Sequence, residues 1–435
     1  MNKYSFSLKS YRAIKSANID LNGITILAGE NGCGKSTLTR TLFYLVDVIS
    51  HFDEYVFEDY KNQMRQLSHR IDMIRREISM YFKDADRLVL QKIQNNLLSS
   101  DYGIEEADKL MLIYRDAVVY YAKVLDEYFA VHSNRKGVGR LLQYIDVDLN
   151  GQFDSQYFID AYMERAQHLY NEFQDKVSQR EIASFLELID EKFDVRLSPD
   201  KIQFVENEVR LLGTKQAGHL FNIQRAIYVD TPMALCNFVS SNPLWDHFNE
   251  MISRKRCVDW SPAEKKMKLR IQQIMHGSLK MMDDLFDEEL HYIREDNLDI
   301  PITQAATGLK SFAYVMRLLD NGLLDDSTLL IIDEPEAHLH PQWVVEFARV
   351  LVLLNKELGV KVLIASHNPD MVAAIQAIAR KENCIEQVTF YQANAVDGFT
   401  FQYKELGSEI GEIFKSFNIA LERIQFYGAG TTNNQ

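Results

Sequence analysis

Gly29-Glu30-Asn31-Gly32-Cys33-Gly34-Lys35-Ser36-Thr37 decides the reading of this chain. The pattern Gly-x-x-x-x-Gly-Lys-Ser stands between an aliphatic run, Ile24-Thr25-Ile26-Leu27-Ala28, and a stretch of helical spacing from Ser36 to Leu45. Strand, glycine-rich turn and helix in that order predict a phosphate-binding loop. The glycines let the backbone curl so that successive N–H groups and the helix N-terminus converge on phosphate oxygens, where the helix dipole adds positive potential. Lys35 is then placed to reach the β- and γ-phosphates, and the Ser36 hydroxyl to ligate magnesium. A nucleoside triphosphate is the expected ligand.

Much later, Leu329-Leu330-Ile331-Ile332 ends on Asp333-Glu334-Pro335-Glu336-Ala337-His338-Leu339-His340-Pro341. Consecutive aliphatic residues fit a strand buried on both faces of a parallel sheet, with Asp333 emerging at the edge where such sheets place their ligands. Asp333 suits Mg²⁺, and a second carboxylate at Glu334 suits the orientation or deprotonation of an attacking water. A further strand, Lys361-Val362-Leu363-Ile364-Ala365, ends on Ser366-His367-Asn368-Pro369. His367 is thereby expected at the same edge, where an imidazole can hydrogen-bond a γ-phosphate. The apolar-faced stretch from Trp343 to Lys356 completes a β-α-β crossover between the two strands.

Taken together these motifs resemble the ABC-type ATPase heads of the SMC, RecF and OLD group. The resemblance implies an α/β fold, a P-loop NTPase that uses ATP and Mg²⁺ and works as a homodimer or higher homo-oligomer. In that group Glu334 corresponds to the catalytic glutamate, Glu336 to Pro341 to the D-loop that crosses the dimer interface, and His367 to the switch histidine. The segment Phe6 to Lys15, followed by Asn18-Ile19-Asp20-Leu21, is similar to the opening β-hairpin, in which a basic residue near Arg12 approaches the nucleotide. One motif departs from the group. Its signature usually reads Leu-Ser-Gly-Gly-Gln or Ser-Ser-Gly, whereas the matching segment, after a hairpin expected from Glu289 to Ile302, is Gln304-Ala305-Ala306-Thr307-Gly308-Leu309-Lys310-Ser311. Thr307 can still supply a hydroxyl and Gly308 a close backbone approach, so nucleotide-driven dimerisation is what the departure affects.

Between the two halves of the head, residues 1–50 and 191–435, the segment 51–190 reads as a helical insertion. Met64, Leu67, Ile71, Ile74, Ile78 and Tyr81 recur at three- and four-residue steps, as do Ala107, Leu110, Tyr114, Ala117, Tyr121, Val124 and Tyr128. A third helix of looser pattern is expected from Gln156 to Glu191. The pattern fits a short antiparallel coiled coil or a bundle covering the head. Seams of this length give an arm of about 30 to 40 Å.

The balance of charge narrows the partners. A net charge of −14 argues against an extended nucleic-acid surface, which needs a basic stripe. Local clusters do exist at Arg65, Arg70, Arg75 and Arg76, at Arg254-Lys255-Arg256, and at Lys265, Lys266, Lys268 and Arg270. No apolar run reaches the length of a membrane span and Met1 to Ser10 lacks the core of a secretory signal, so a cytoplasmic protein is expected. Cys33, Cys236, Cys257 and Cys384 have no metal-ligand spacing and suit a reducing compartment.

Two functional classes follow. One is an ATP-gated sensor or scaffold that holds or releases a separate effector; the other is a DNA-repair or chromosome-organising ATPase that acts on DNA directly. OLD proteins carry a TOPRIM nuclease after the head, but Gln387 to Leu406 reads as a β-hairpin and Gly407 to Tyr427 as one amphipathic helix. The layout of head plus short insert therefore resembles the standalone ATPases of bacterial anti-phage systems such as Septu and PARIS, which act with a nuclease encoded nearby. The loop reading carries its own test. Lys35→Ala removes the one fixed positive charge among the β- and γ-phosphate oxygens and is expected to abolish nucleotide binding in an equilibrium binding measurement; binding near wild-type affinity would overturn the loop assignment.

Overall fold

The computed structural model describes residues 3–78, 102–132, 153–213, 215–230, 242–256, 259–283 and 288–415, with a few isolated positions between 89 and 95. They form two compact units, one of Met1–Ser50 with Phe185–Gln435 and one of His51–Ser184.

The first unit is built on a ten-stranded sheet. Its strands in chain order are β1 (Tyr4–Tyr11), β2 (Ile14–Asp20), β3 (Ile24–Ala28), β4 (Ile202–Glu206), β5 (Val209–Arg210), β6 (Arg225–Val229), β10 (Thr328–Asp333), β11 (Lys361–Ser366), β12 (Val388–Ala395) and β13 (Phe401–Gly407). A separate antiparallel sheet holds β7 (Gly277–Asp283), β8 (Glu288–Arg294) and β9 (Asp299–Pro301). The order across the large sheet is β5-β4-β1-β2-β13-β12-β3-β11-β10-β6. From β12 to β6 every neighbouring pair is parallel, while β1 pairs antiparallel with β2 and β4. Every residue of β3 and β10 is buried, and β6 and β11 are buried beyond their first residue. Such strands satisfy their backbone groups in the ladder and leave polar side chains only at their ends.

The helices are α1 (Lys35–Ile78), α2 (Ala107–His132), α3 (Ser155–Gln179), α4 (Ile182–Phe193), α5 (Pro243–Ser253), α6 (Pro262–Met275), α7 (Thr307–Asp320), α8 (Pro341–Leu358) and α9 (Pro369–Lys381). Helix α8 carries the crossover from β10 to β11. His340 caps its start, Pro341 supplies a preset first turn, and Val344, Phe347, Ala348, Leu351 and Leu354 form its buried stripe. Phe347 meets Phe312 of α7 edge-on with ring centroids 5.3 Å apart, so α7 and the crossover helix share one core.

Helix α1 has non-helical backbone at His51 (φ −113°, ψ 18°), where the second unit begins. In that unit Met64, Ile71 and Ile74 of α1 are buried, as are Ala107, Leu110, Tyr114, Ala117 and Tyr121 of α2. Tyr60 stacks on Phe173 of α3 at 5.0 Å. The single helix expected from Gln156 to Glu191 is instead two, α3 and α4. They are divided at Arg180, which adopts left-handed backbone (φ 44°) and sends its guanidinium to Asp53 at 2.7 Å and over the Phe52 ring at 4.7 Å. Tyr81 and residues 416–427, to which the seam and the last helix were expected to extend, lie outside the described residues.

Candidate active site

The loop from Gly29 to Thr37 joins the end of β3 to the start of α1. Gly32 and Gly34 adopt φ of 85° and 92°, the left-handed region that lets the chain wrap without a clash from Cβ. A Cβ on Gly34 would also meet Ile14 Cγ1 at 2.9 Å, because the β1–β2 hairpin lies against the loop. Arg12, in the turn of that hairpin, is exposed with left-handed backbone (φ 49°), and its guanidinium lies over the Tyr11 ring. From below, the Tyr403 hydroxyl donates to the Cys33 carbonyl at 3.3 Å. Lys35 is buried and its ammonium donates to the carbonyls of Gly29 at 2.8 Å and Glu30 at 3.0 Å. Glu30, Asn31 and Ser36 are exposed, and Thr37 half-buried.

Two strands away in the sheet, Asp333 ends β10 with only 6% of its surface exposed. Its Oδ2 accepts from the Tyr228 hydroxyl of β6 at 3.0 Å, and its Oδ1 is buried with no hydrogen-bond partner. Burial pushes the carboxyl up, opposed by the hydroxyls of Ser36 and Tyr228 and by Arg40. Arg40 of α1 in turn donates to the Tyr228 hydroxyl at 3.1 Å. Tyr228 and Arg40 therefore belong to the site although neither stood out in the sequence. A polar tip at the end of an aliphatic strand was the only sign of Tyr228. The donor set of Ser36 hydroxyl and Asp333 carboxylate can share a hard divalent cation with phosphate oxygens and water.

Glu334 follows with left-handed backbone (φ 50°), its N–H held by the Ala365 carbonyl at 2.8 Å. A non-glycine residue in this region stores strain and turns its side chain away from the line of the strand. The result is a meeting with β11: Glu334 Oε1 lies 3.4 Å from His367 Nδ1. Glu336 Oε1 lies equally close to that nitrogen, at 3.4 Å. The segment expected to cross an interface thus begins inside its own chain, since Glu336 is buried while His338 and His340 are exposed.

Thr307 opens α7 half-buried, after Ala306, which offers no side-chain cap to the helix N–H groups. Gly308 serves packing as well as backbone approach: a Cβ there would meet Trp343 Cε3 at 3.0 Å and Leu339 Cδ2 at 3.3 Å. Lys35, Ser36, Asp333, Glu334 and His367 thus lie at the ends of three neighbouring strands, while Arg12 lies in the turn of the hairpin that meets the loop at Ile14 and Gly308 packs against Leu339 and Trp343.

The family model described as AAA ATPase domain matches residues 1–372, most of the chain and all of these positions. The chain belongs to the AAA ATPase domain family. The chain accordingly carries an ATPase domain. Among curated proteins, the energy-coupling factor transporter ATP-binding protein EcfA2 of Clostridium perfringens is 41% identical over 63 residues, 14% of this chain and 22% of the relative. The chain therefore spans about a fifth of the length of the curated relatives it matches. Among solved structures, the Smc head domain of Pyrococcus furiosus bound to the C-terminal domain of ScpA is 13% identical, with a TM-score of 0.35 over 98% of this chain and 100% of that one. The SMC head domain of Thermotoga maritima is 9% identical, with a TM-score of 0.36 over 93% and 99%.

The buried Asp333 of this ATPase gives a pH-dependent prediction. Its folded-state pKa is raised, so the ionised form penalises the native state at neutral pH, and the penalty disappears as pH falls below the ordinary carboxylate range. Asp333→Asn is expected to raise the melting temperature of the nucleotide-free protein at pH 7, by about 2–4 °C per kcal/mol relieved. The gain should shrink towards pH 4. A variant that melts lower than wild type at pH 7 would refute the account of Asp333 as a charge whose burial its partners only partly offset.

Proposed function

We propose that this ATPase is an ATP-gated sensor or scaffold that holds or releases a separate effector, a nuclease or toxin, in bacterial anti-phage defence. It works in the cytoplasm as a homodimer or higher homo-oligomer with Mg²⁺ as the metal. Lys35 neutralises the β- and γ-phosphates, and Ser36 and Asp333 share the metal. Glu334 polarises the attacking water, and His367 contacts the γ-phosphate. Thr307 and Gly308 present the signature to the nucleotide of a second copy, and Arg12 approaches the nucleotide from the hairpin.

The observation that carries the ATP-hydrolysing part of the reading is the meeting of Glu334 with His367, beside Asp333, at the ends of strands next to the one that leads into Lys35. The unpartnered Oδ1 of Asp333, beside the Ser36 hydroxyl, supports the metal assignment. No helix among the described residues is long and apolar enough to cross a membrane.

An effector is favoured over direct DNA binding because the basic clusters are largely engaged within the chain. Arg254 pairs with Glu250 at 2.8 Å, Arg256 with Glu264 at 2.9 Å, Lys266 with Glu357 at 3.0 Å and Lys268 with Asp320 at 2.6 Å. Cations already paired release fewer counterions on meeting a phosphate backbone. The side chains of Arg70, Arg75 and Arg76 lie outside the described residues. The strands after His367, β12 and β13, belong to the same sheet as β3 and β10.

Glu334→Gln keeps volume and hydrogen-bonding reach but removes the carboxylate. Hydrolysis should fall by about 100-fold or more while ATP still binds. The variant should then accumulate with ATP as a dimer or larger species, and should co-purify with the product of a neighbouring gene differently from wild type. Turnover, mass with and without ATP, and co-purification are the three readouts. Unchanged turnover would remove Glu334 from the mechanism, slow turnover at constant mass would remove the nucleotide-bridged oligomer, and tight binding of duplex DNA without any protein partner would favour the repair reading.

A further inference from the structure

Glu336 is the one carboxylate of the segment Glu336 to Pro341, and its hydrogen bonds from Ser366 and His367 converge on one oxygen. Oε1 accepts from the Ser366 hydroxyl at 2.8 Å and from the His367 backbone N–H at 3.1 Å, and it lies 3.4 Å from His367 Nδ1. Oε2 is buried with no hydrogen-bond partner. The side chain is 3% exposed, so a carboxylate has been removed from water with half of its acceptors unused. That arrangement is unfavourable for stability. Burial pushes the Glu336 carboxyl up, which agrees with the penalty.

Apart from its own backbone N–H, the contacts that offset the penalty fall on one dipeptide, Ser366-His367, at the end of β11. The Ser366 hydroxyl bridges further to the N–H of Asn368 at 3.1 Å, and Asn368 caps α9 through Asp370 and Met371 N–H groups. Without an acceptor at Glu336, the His367 N–H would lose its partner, the buried Ser366 hydroxyl would lose the acceptor it donates to, and the imidazole would lose one of the two oxygens flanking Nδ1. Glu334 alone does not fix that ring, because both Glu334 and His367 are more than two-fifths exposed.

We propose that Glu336 is a positioning residue for hydrolysis: its Oε1 holds the backbone and ring of His367 at the place where the imidazole meets Glu334 and the γ-phosphate. The proposal rests on the reading of His367 given above. It acts through geometry, so an acceptor oxygen is what the position requires.

Steady-state ATP hydrolysis and ATP affinity of the full chain test it with four variants. Glu336→Met removes the acceptor at similar volume and is expected to lower kcat by about 10- to 100-fold, the scale of a misplaced catalytic group, with ATP affinity within about twofold of wild type. Glu336→Gln restores an Oε1 acceptor and is expected to recover kcat to within about threefold. In a His367→Ala background, Glu336→Met should cost little further, because the group it positions is gone. A Glu336→Met enzyme with normal kcat, factors that multiply in the double variant, a Glu336→Gln enzyme as slow as Glu336→Met, or a loss that appears in ATP affinity instead of kcat would each overturn the proposal. His367→Ala at wild-type kcat would remove the histidine from the reaction and take both readings with it. Slow His367→Ala beside normal Glu336→Met would overturn the role of Glu336 alone.

Discussion

Burial of the central strands on both faces is the constraint from which the site follows. β3, β10, β11 and the greater part of β6 admit no water along their length, so an ion, a nucleotide or an ionised side chain can be met only at their ends. The sheet order then decides which ends become neighbours. β11 lies between β3 and β10, although it follows both in the chain. In register, Ser366 stands beside Ala28 and Ala365 beside Asp333. Strand spacing of about 4.8 Å brings His367 between the loop that begins at Gly29 and the carboxylates that begin at Asp333. The crossover through α8 thus does chemical work as well as filling the core.

At that edge stability is traded for preorganisation. Asp333 and Glu336 each bury an oxygen without a hydrogen-bond partner, and Glu334 sits in left-handed backbone. Each feature is unfavourable in the folded chain, and together they are sustained by the apolar packing behind them, where Phe312, Phe347, Leu330, Ile332, Val362 and Ile364 are fully or almost fully buried. The tyrosine hydroxyl at Asp333 illustrates the economy. It satisfies one carboxylate oxygen and is itself backed by Arg40, leaving the other oxygen for a ligand.

Much of this was legible in the sequence, for physical reasons that differ from one element to the next. The phosphate loop and the strand ending on Asp333-Glu334 declare themselves because glycine torsions and doubly buried strands impose composition locally. The β8–β9 hairpin and the β12–β13 hairpin were likewise visible from their alternation and turns. Arg180 was not, because a left-handed residue other than glycine leaves no local mark, and its guanidinium is fixed by Asp53, distant in sequence. Tyr228, Arg40 and Glu336 escaped for the same reason: each acquires its meaning from a partner on another element. Composition suggested basic surfaces at residues 254–270, and only the fold reveals that carboxylates on α5, α6, α7 and α8 occupy several of them.

The departure of the signature from its usual sequence can be weighed against what surrounds it. Ala306 withdraws a capping hydroxyl from the start of α7, which leaves the first-turn N–H groups without a side-chain acceptor from the chain itself. Gly308, by contrast, is held by packing, since Trp343 of α8 and Leu339 of the D-loop fill the space that a side chain would need. Trp343 also meets Phe312 of α7 edge-on at 5.5 Å. The start of α7, the D-loop and the start of α8 are therefore one packed body. A displacement of the D-loop large enough to move Leu339 must move the signature with it, because interiors this dense respond by shifting whole elements and not by local compression. Glu336 ties the other end of the same D-loop to Ser366 and His367. The segment from Glu336 to Leu339 thus spans the distance between the histidine of the hydrolytic edge and the helix expected to face a second copy, and the loss of a serine at position 306 leaves that mechanical connection in place.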